Sequence, residues 1–359
     1  MELYAVRKSD GEILQKSFSS YVMGVDVGGT NTNLGVAGIK DNKPFLLFSL
    51  NFKTKELDSL VPAIKQALEY SKKEHDINIG VACIGAAGVV SDSKEHVELT
   101  NINWNISARE IIKNTSLNEI FIINDFQAIG YGINLLDINN ANDIYVVKSK
   151  NVRSDSAKAV IGAGTGLGKS ILVFDENIKA HVPLASEGGH SEFPVQNDFE
   201  IGLTSYIKEK MGINEPISYE EVLSGRGLEN IYYYLKQKRG YEDTNYSREI
   251  DESDDKAEAI SKYRTADETC KETFRLFAKF YGRCAKNFVL ESMALGGLYI
   301  AGGIATKNKE IFESKDFFEE FENAYRRGDI LKEIPVYVIV NYDVSLYGAC
   351  FAAMLKSQK

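Results

Sequence analysis

Residues 22–35 constrain the fold of this chain more than any other stretch. They form an apolar run, a carboxylate at Asp26, a glycine pair with small polar residues, and the start of a second apolar run that ends at Ile39. This pattern predicts a buried strand, a tight turn and an antiparallel return strand. Successive backbone N–H groups in a glycine-rich turn form a concave anion site. The stretch therefore predicts a phosphate-binding hairpin, with an ordinary Gly-Gly hairpin as the alternative.

A second stretch, residues 159–174, repeats this arrangement. An apolar run leads into a Gly/Thr turn at 162–168, and a return strand follows. The glycine spacing is similar to that of dinucleotide-binding motifs, but those motifs require a helix after the glycines, and residues 171–174 have the composition of a strand. Two similar hairpins far apart in the chain predict two related halves, each contributing one phosphate-binding turn to a shared cleft.

Length and composition limit the class of protein. A chain of 359 residues exceeds one typical core, which predicts two domains. The net charge of −9 disfavours a nucleic-acid partner. The four cysteines are scattered without Cys-x-x-Cys spacing, which predicts buried thiols in a reducing compartment. Because no apolar run is long enough to span a bilayer and no signal peptide is found, we expect a cytoplasmic protein without a membrane partner.

Two further stretches place polar side chains where a ligand is expected. An apolar strand at 120–123 runs directly into Asn124 and Asp125, and ligands of open α/β sheets bind at the carboxyl ends of strands. The alternative, that Asp125 caps a following helix at 126–136, is compatible with this role. Glu187 and His190 are separated by two glycines, so a sharp bend allows both to face one small polar ligand. A purely structural histidine is the alternative, and zinc is disfavoured because no cysteines follow.

The second half of the chain contains three more features. Ser218 and Glu221 have the spacing of a capping box, which leaves Glu220 free to face elsewhere. Segment 236–262 is rich in charge and predicts a solvated insertion or mobile loop. A strand at 298–301 leads into Gly302 and Gly303, which predicts a third close-approach turn.

The remaining pattern alternates between strands and helices, as in α/β proteins. A long helix at 266–295 has an apolar stripe typical of core packing. A short helix at 107–113 begins at Ser107, its predicted N-cap. The last helix, at 346–355, has a narrow face because it contains Gly348 and several alanines. The other predicted elements are a helix at 57–73 and strands at 45–52, 77–84 and 336–340.

These motifs together resemble the bacterial-type glucokinases of the hexokinase and actin-like ATPase superfamily. The resemblance runs from about residue 22 to the C-terminus and is specific because the motifs occur in the same order. It rests on residues 26–31, 123–126, 162–168, 187–190, 222–225 and 300–304. It implies an α/β fold of two actin-like ATPase (ribonuclease H-like) domains with a cleft between them. We place the small domain at 1–135 plus 341–359 and the large domain at 136–340.

The resemblance also implies an activity, cofactors and site residues. The implied reaction is the transfer of the γ-phosphate of ATP to the 6-hydroxyl of glucose, with ATP and Mg²⁺ as cofactors and Asp125 as the general base. The residues implied to bind the sugar are Asn101, Asn124, Asp125, Glu187, His190 and Glu220. Those implied to bind the nucleotide are Asp26, Gly28, Gly29, Thr30, Asn31, Gly164, Thr165, Gly166, Gly302 and Gly303. Asp26 is expected to bind Mg²⁺ through water, and a homodimer is the expected assembly.

The chain departs from the family pattern at one position. The family commonly has an arginine where this chain has Asn33, and we expect Asn33 to stabilise the turn rather than to face the phosphates. The cysteine-rich zinc motif of the related repressor/open-reading-frame/kinase group is absent, which favours the zinc-free glucokinase branch.

Several alternatives stay open on the sequence. They are a kinase of another hexose or an N-acetylhexosamine, and ADP or polyphosphate as the donor in place of ATP. A non-catalytic sugar or nucleotide sensor, or an actin-like assembly protein, is disfavoured because it has no need of the base Asp125.

Overall fold

The structure is a computed structural model that describes residues 4–8, 17–90, 95–99, 102–151 and 153–357. Its contacts divide the chain into two compact units. The first unit comprises Met1–Asp137, Asp175–Ala185 and Asn341–Lys359, and the second comprises Ile138–Phe174 and Ser186–Val340. The domain boundaries at 135/136 and 340/341 stay a prediction, and this division differs from them mainly in grouping Asp175–Ala185 with the first unit.

The described strands and helices are numbered in chain order. The strands are β1 Tyr4–Lys8, β2 Ser20–Val27, β3 Asn31–Lys40, β4 Lys43–Lys53, β5 Val81–Ala86, β6 Gly88–Val90, β7 His96–Leu99, β8 Ile106–Ser107, β9 Glu119–Asn124, β10 Ile144–Lys148, β11 Lys158–Ala163, β12 Leu167–Asp175, β13 Ala180–Leu184, β14 Leu298–Ala301 and β15 Val336–Ile339. The α-helices are α1 Leu60–His75, α2 Ala108–Asn114, α3 Asp125–Gly132, α4 Asp198–Met211, α5 Gly225–Lys238, α6 Asn245–Glu252, α7 Lys256–Lys262, α8 Glu268–Ser292, α9 Gly303–Lys307, α10 Lys315–Phe321, α11 Gly328–Lys332 and α12 Val344–Ser357. Short 3₁₀ helices lie at Thr54–Glu56, Ile133–Leu135, Gly188–His190, Tyr219–Glu221 and Lys309–Glu313.

The sheet of the first unit has the strand order β1-β4-β3-β2-β5-β9. The predicted first hairpin is confirmed, because β2 and β3 pair antiparallel. Strands β2, β5 and β9 pair parallel, so their carboxyl ends meet at one edge of the sheet. Apolar side chains of these central strands are buried, as expected for strands covered on both faces. The sheet therefore brings the ends of β2 and β9 to the same edge.

Helix α12 closes one face of this sheet. Gly24 on β2 leaves room for Cys350 of α12, since a Cβ on Gly24 would lie 2.6 Å from its sulfur. Strand β13 also belongs to the first unit, where the side-chain amide of Gln127 donates to the carbonyl of Pro183. The four cysteines are buried free thiols, as predicted. Among the described residues, no helix has the length and apolar character that crossing a membrane requires.

The second unit contains the second predicted hairpin, and it is confirmed. Its strands follow the order β10-β15-β14-β11-β12, in which β11 and β12 pair antiparallel and β11, β14 and β15 pair parallel. The predicted long helix is also confirmed as α8, and its apolar stripe is core. The buried residues of that stripe are Phe274, Phe277, Ala278, Tyr281, Ala285 and Phe288.

The prediction of a mobile loop at 236–262 is wrong. Helix α5 extends to Lys238, and most of the remaining segment forms α6 and α7. Ile250 and Ile260 are fully buried, so each helix has an apolar anchor in the core. Thr244 caps α6 and Asp255 caps α7 by accepting hydrogen bonds from backbone N–H groups. The many charged residues of this segment are therefore the solvent-facing side of packed helices.

Several smaller predictions need correction at their boundaries. Helix α1 begins at Leu60 rather than at 57, and strand β5 begins at Val81 rather than at 77. The capping box at Ser218 is wrong, because the Ser218 side chain makes no capping hydrogen bond and a single 3₁₀ turn follows it. Ser107 does cap α2 as predicted, accepting a hydrogen bond from the N–H of Glu110.

Candidate active site

The strand register of the first unit brings its predicted site residues to one edge of the sheet. Val27 pairs with Ala86, and Ala86 pairs with Asn124. Asp26 is the penultimate residue of β2, and Asp125 directly follows β9. Since β5 lies between these strands and neighbouring strands are about 4.8 Å apart, the two strand ends are about 10 Å apart. Asp26 and Asp125 therefore lie near the same edge of the sheet, at the ends of strands separated by β5.

The first glycine turn joins β2 to β3 and is open on its outer side. The N–H of Gly28 donates to the carbonyl of Asn31 over 3.0 Å, and Thr54 donates its hydroxyl to the carbonyl of Gly28 over 2.7 Å. A Cβ on Gly29 would meet no atom within 4 Å. Lys53, which sequence reasoning missed, donates to the Asn31 side chain over 2.9 Å and adds a positive charge beside the turn. The sequence feature that could have indicated Lys53 is the third predicted strand, because the end of this strand, β4, lies opposite Asn31.

Asp26 is held by two neutral donors. The hydroxyl of Ser345, at the start of α12, donates to Asp26 Oδ1 over 2.8 Å. Asn33 is directly opposite Asp26 in the hairpin, and its side-chain amide lowers the pKa of the same carboxyl. Burial raises the pKa of the Asp26 carboxyl above its ordinary value, and the Ser345 and Asn33 side chains only partly offset the rise.

Asn124 and Asp125 have different structural roles. Asn124 is the N-cap of α3 and forms a capping box with Gln127, whose side chain accepts from the Asn124 N–H. The N–H of Phe126 donates to both Asn124 Oδ1 and Asp125 Oδ1, over 2.8 and 2.9 Å. The alternative prediction was that Asp125 caps this helix. Asn124 supplies the cap instead. Asp125 is the first residue of α3 and lies in its first turn.

The second unit gathers most of its predicted motifs around the turn of the β11–β12 hairpin. The N–H of Gly225 donates to the carbonyl of Gly164 over 2.8 Å. Gly302 has a φ of +92°, and a Cβ there would lie 2.4 Å from the carbonyl oxygen of Ala163. Only glycine fits such a position, so the third close-approach turn packs directly against the second one.

The loop that carries Glu187 and His190 lies against the same hairpin. A Cβ on Gly189 would stand only 1.8 Å from the carbonyl oxygen of Leu167. Residues Gly188–His190 form one 3₁₀ turn, which brings His190 Nε2 to 3.9 Å from Glu187 Oε2. The two side chains are 60% and 79% exposed, respectively, so both are accessible to a ligand.

Glu220 is not free, contrary to the expectation from the capping pattern. Its carboxylate accepts from the Leu167 N–H over 2.9 Å and from the Arg226 guanidinium over 3.0 Å, and its side chain is 15% exposed. Arg226 also binds Glu221 with two hydrogen bonds. Glu220 therefore fixes the turn of the second hairpin, and Arg226 is a residue whose role no short-range pattern indicates.

The predicted site residue Asn101 lies outside the described residues. Across the described ranges, no group of three or more His, Cys, Asp or Glu side chains is placed to hold a metal ion. A metal ion held mainly by water and phosphates needs no such group, because a single carboxylate is enough protein ligand for Mg²⁺ in phosphoryl-transfer sites.

Comparison with known proteins identifies the family. The glucokinase family profile matches residues 23–356. Glucokinases of Trichormus variabilis and Synechocystis are each 32% identical to this chain, over 91% of its length and 97% and 96% of theirs. A glucokinase from Yersinia pestis is 31% identical over 92% of this chain and 95% of its own.

Solved structures agree with this result. The crystal structure of a glucokinase from an Antarctic psychrotroph superposes with a TM-score of 0.76 at 25% identity, covering 93% of this chain and 98% of the other. A ROK family glucokinase from Streptomyces griseus in complex with glucose and AMPPNP shares the fold, with a TM-score of 0.60 at 20% identity over 94% of this chain and 100% of its own. The chain therefore belongs to the glucokinase family and is an ATP-dependent sugar kinase with the two-domain actin-like ATPase fold.

Proposed function

We propose that this enzyme transfers the γ-phosphate of ATP to the 6-hydroxyl of glucose, with Asp125 as the general base. The observation that carries the proposal is the position of Asp125 directly after β9, at the same sheet edge as Asp26 and the first glycine turn. A sugar hydroxyl is a poor nucleophile, and a carboxylate that accepts its proton makes attack on phosphorus possible.

The phosphates are proposed to bind at the two glycine turns. In the first unit the turn at Gly28, Gly29, Thr30 and Asn31 offers backbone N–H groups and small side chains, and Lys53 supplies a positive charge. In the second unit the turn at Gly164, Thr165 and Gly166 offers the same chemistry, and the Gly302-Gly303 turn against it is proposed to contact the adenosine. Preorganised donors of this kind stabilise the charge that develops on the transferred phosphoryl group.

Asp26 is proposed to hold Mg²⁺ through water. The residues present fit such an ion, because the side chains beside the Asp26 carboxylate, Ser345 and Asn33, are neutral and form no ion pair with it. Mg²⁺ in kinases keeps several waters and binds one or two carboxylates and the substrate phosphates. When bound, the ion neutralises charge on the phosphate oxygens. Asp26 would hold the ion through water at the end of β2.

The sugar is proposed to bind through side chains with hydroxyl-matching donors and acceptors. These residues are Asn101, Asn124, Asp125, Glu187, His190 and Glu220. Glu187 and His190 are on one turn, so they suit neighbouring hydroxyls of one ring. Glu220 is proposed to act together with Arg226, which holds its carboxylate. Buried hydroxyl pairs discriminate strongly between epimers. We infer glucose rather than a related hexose because the relatives are glucokinases, one of them solved in complex with glucose. We also propose a cytoplasmic homodimer.

A coupled assay of ADP release tests the proposal. The wild-type enzyme is assayed with glucose, mannose, fructose, N-acetylglucosamine and N-acetylmannosamine, and then with ATP, ADP and polyphosphate as donors. We expect the highest kcat/KM with glucose and ATP. A higher value for an N-acetylhexosamine would assign the enzyme to another substrate. If none of these sugars produces turnover while nucleotide still binds, the proposal of glucose as the substrate is wrong.

A further inference from the structure

The carboxylate of Asp26 is contacted from two different elements of the first unit. The hydroxyl of Ser345 reaches Asp26 Oδ1 over 2.8 Å, although the two residues are 319 positions apart in sequence. Ser345 is the second residue of α12 and is only 9% exposed. The hydrogen bond therefore joins the start of the last helix to the end of the central strand β2.

The second contact belongs to a row of side chains across three strands. Asn51 on β4 is opposite Asn33 on β3, and Asn33 is opposite Asp26 on β2. Side chains directly opposite one another on a sheet lie on the same face and interact. The Asn51 side chain donates through Nδ2 to Asn33 Oδ1 over 2.6 Å. Because the oxygen of the Asn33 amide accepts from Asn51, its nitrogen is the end of the amide that can donate toward Asp26.

We propose that Ser345 and Asn33 are positioning residues for the reaction, fixing the orientation of the Asp26 carboxylate so that it holds Mg²⁺ with the nucleotide phosphates. The inference rests on the proposed role of Asp26 and goes beyond it by naming the residues that make that role possible. Neither Ser345 nor Asn33 is assigned contact with substrate or phosphate.

Both side chains beside the Asp26 carboxylate are neutral, and this matters for binding a cation. A serine hydroxyl and an asparagine amide orient a carboxylate without cancelling its charge, whereas a guanidinium at the same place would form an ion pair with it. A carboxylate neutralised in that way would be a weaker ligand for a cation. The nearby Asp343 carboxylate adds negative charge next to Asp26, and Asp343 itself is paired with Arg7 over 2.6 Å. No cation among the described residues named here pairs with the Asp26 carboxylate itself, since Arg7 is paired with Asp343.

The test measures binding of ADP by titration calorimetry, once with excess Mg²⁺ and once in EDTA. The variants are Ser345→Ala, Ser345→Thr, Asn33→Leu and the control Ser71→Ala. Ser71 is also fully buried in the first unit, but its hydroxyl donates to the carbonyl of Ala67 within α1 and contacts no carboxylate. Glucose affinity and the thermal midpoint are measured on every variant, so that loss of fold is recognised directly.

We expect Ser345→Ala and Asn33→Leu to weaken ADP binding in Mg²⁺ by about tenfold, or about 1.4 kcal/mol. Their ADP affinity in EDTA and their glucose affinity stay within about twofold of wild type. Ser345→Thr keeps the hydroxyl and restores most of the loss, and Ser71→Ala binds ADP as the wild type does. Equal weakening in Mg²⁺ and in EDTA, or no weakening in either, would overturn the positioning role.

Measurements on the wild type and on Asp26→Asn distinguish a failure of the positioning role from a failure of the proposed function. If wild-type ADP affinity is the same with Mg²⁺ as in EDTA, or if Asp26→Asn leaves the Mg²⁺ effect intact, then Asp26 itself is not the metal-binding residue. If the wild type shows the Mg²⁺ effect and Asp26→Asn removes it, but Ser345→Ala and Asn33→Leu both retain it, only the positioning role is wrong. Should Ser345→Ala fail to fold, Asn33→Leu on the other side of the carboxylate still decides the matter.

Discussion

The backbone of Gly348 on α12 lies directly against the carbonyl oxygen of Ala128 on α3. A Cβ atom on Gly348 would stand 1.7 Å from that oxygen, far inside van der Waals contact. The two helices are therefore packed as closely as backbones allow. Because Asp125 is the first residue of α3, this contact fixes the helix that carries the proposed base.

We predict that Gly348→Ala lowers both stability and turnover. The added methyl group pushes α3 away from α12, and overpacking of this kind costs about 1–3 kcal/mol in the free energy of unfolding. The displaced Asp125 also loses its geometry toward the sugar hydroxyl, so kcat falls while the ATP KM stays near the wild-type value. Urea denaturation and steady-state kinetics measure the two effects. Ala353→Gly in the same helix is the control, since it destabilises α12 without inserting an atom, and its kcat should remain unchanged.

Replacement of Asp125 by asparagine should separate binding from chemistry. The amide keeps the shape of the side chain and an oxygen that can accept from the Phe126 N–H, but it cannot take a proton. We expect kcat to fall by about 10²–10⁴-fold and glucose affinity to stay within about threefold. The exposed residue Asp58 provides the control Asp58→Asn. If Asp125→Asn retained more than about a tenth of wild-type kcat, another group would have to be the base.

Substitutions in the exposed turn at Glu187 and His190 should weaken sugar binding without changing ATP binding. Loss of a partner to a buried hydroxyl costs about 1–3 kcal/mol, which corresponds to a rise of about 5–150-fold in the glucose KM. We expect this rise for Glu187→Ala and for His190→Ala, with the ATP KM within about twofold of wild type. Kinetics with each substrate varied in turn measure both constants. A similar rise in the ATP KM would move the turn to the nucleotide site.

A buried ionic network in the second unit should control stability rather than activity. The guanidinium of Arg283 on α8 donates to both carboxylate oxygens of Glu200 over 2.7 and 2.9 Å and also to Glu320. Burial alone would raise the pKa of Glu200, but the bonds from Arg283 hold it below its ordinary value. Glu200→Gln leaves a buried guanidinium with less compensation, which costs about 3–5 kcal/mol. Chemical denaturation measures this loss, and the exposed Glu209→Gln on the same helix is the control.

Because of Lys158, the free energy of unfolding should increase as the pH rises through the alkaline range. Its ammonium group lies over the ring of Tyr299, and burial lowers the pKa of Lys158 from 10.5 to about 8. Between these values the unfolded chain binds more protons than the folded one, so the free energy of unfolding rises with pH in that window. Lys158→Met removes this contribution. We expect the difference in unfolding free energy between wild type and Lys158→Met to shift in favour of wild type from pH 8 to pH 10. A difference that does not change with pH would contradict the lowered pKa.

The sequence was informative wherever local chemistry decides the structure. The two hairpins followed from glycine turns between apolar runs, and α8 followed from its regular apolar stripe. The loop prediction for segment 236–262 failed because Ile250 and Ile260 are single buried residues among many charged ones. They are too few to produce a helical hydrophobic pattern in the sequence. The expectation that Glu220 is free failed because one of its partners, Leu167, is 53 positions away in sequence. The contact of Ser345 with Asp26 is beyond any local pattern for the same reason.

The place of α12 within the first unit has a consequence for synthesis of the protein. This helix covers β2 and packs against α3, yet the ribosome makes it only after the entire second unit. The strands of the first unit thus emerge early but lack one of their covering helices during most of translation. Buried positions such as Gly24, Val22 and Ala128 remain accessible in the nascent chain until α12 leaves the exit tunnel. The unit that carries Asp125 is therefore completed last, and a chain that ends before residue 344 lacks the helix against which α3 packs.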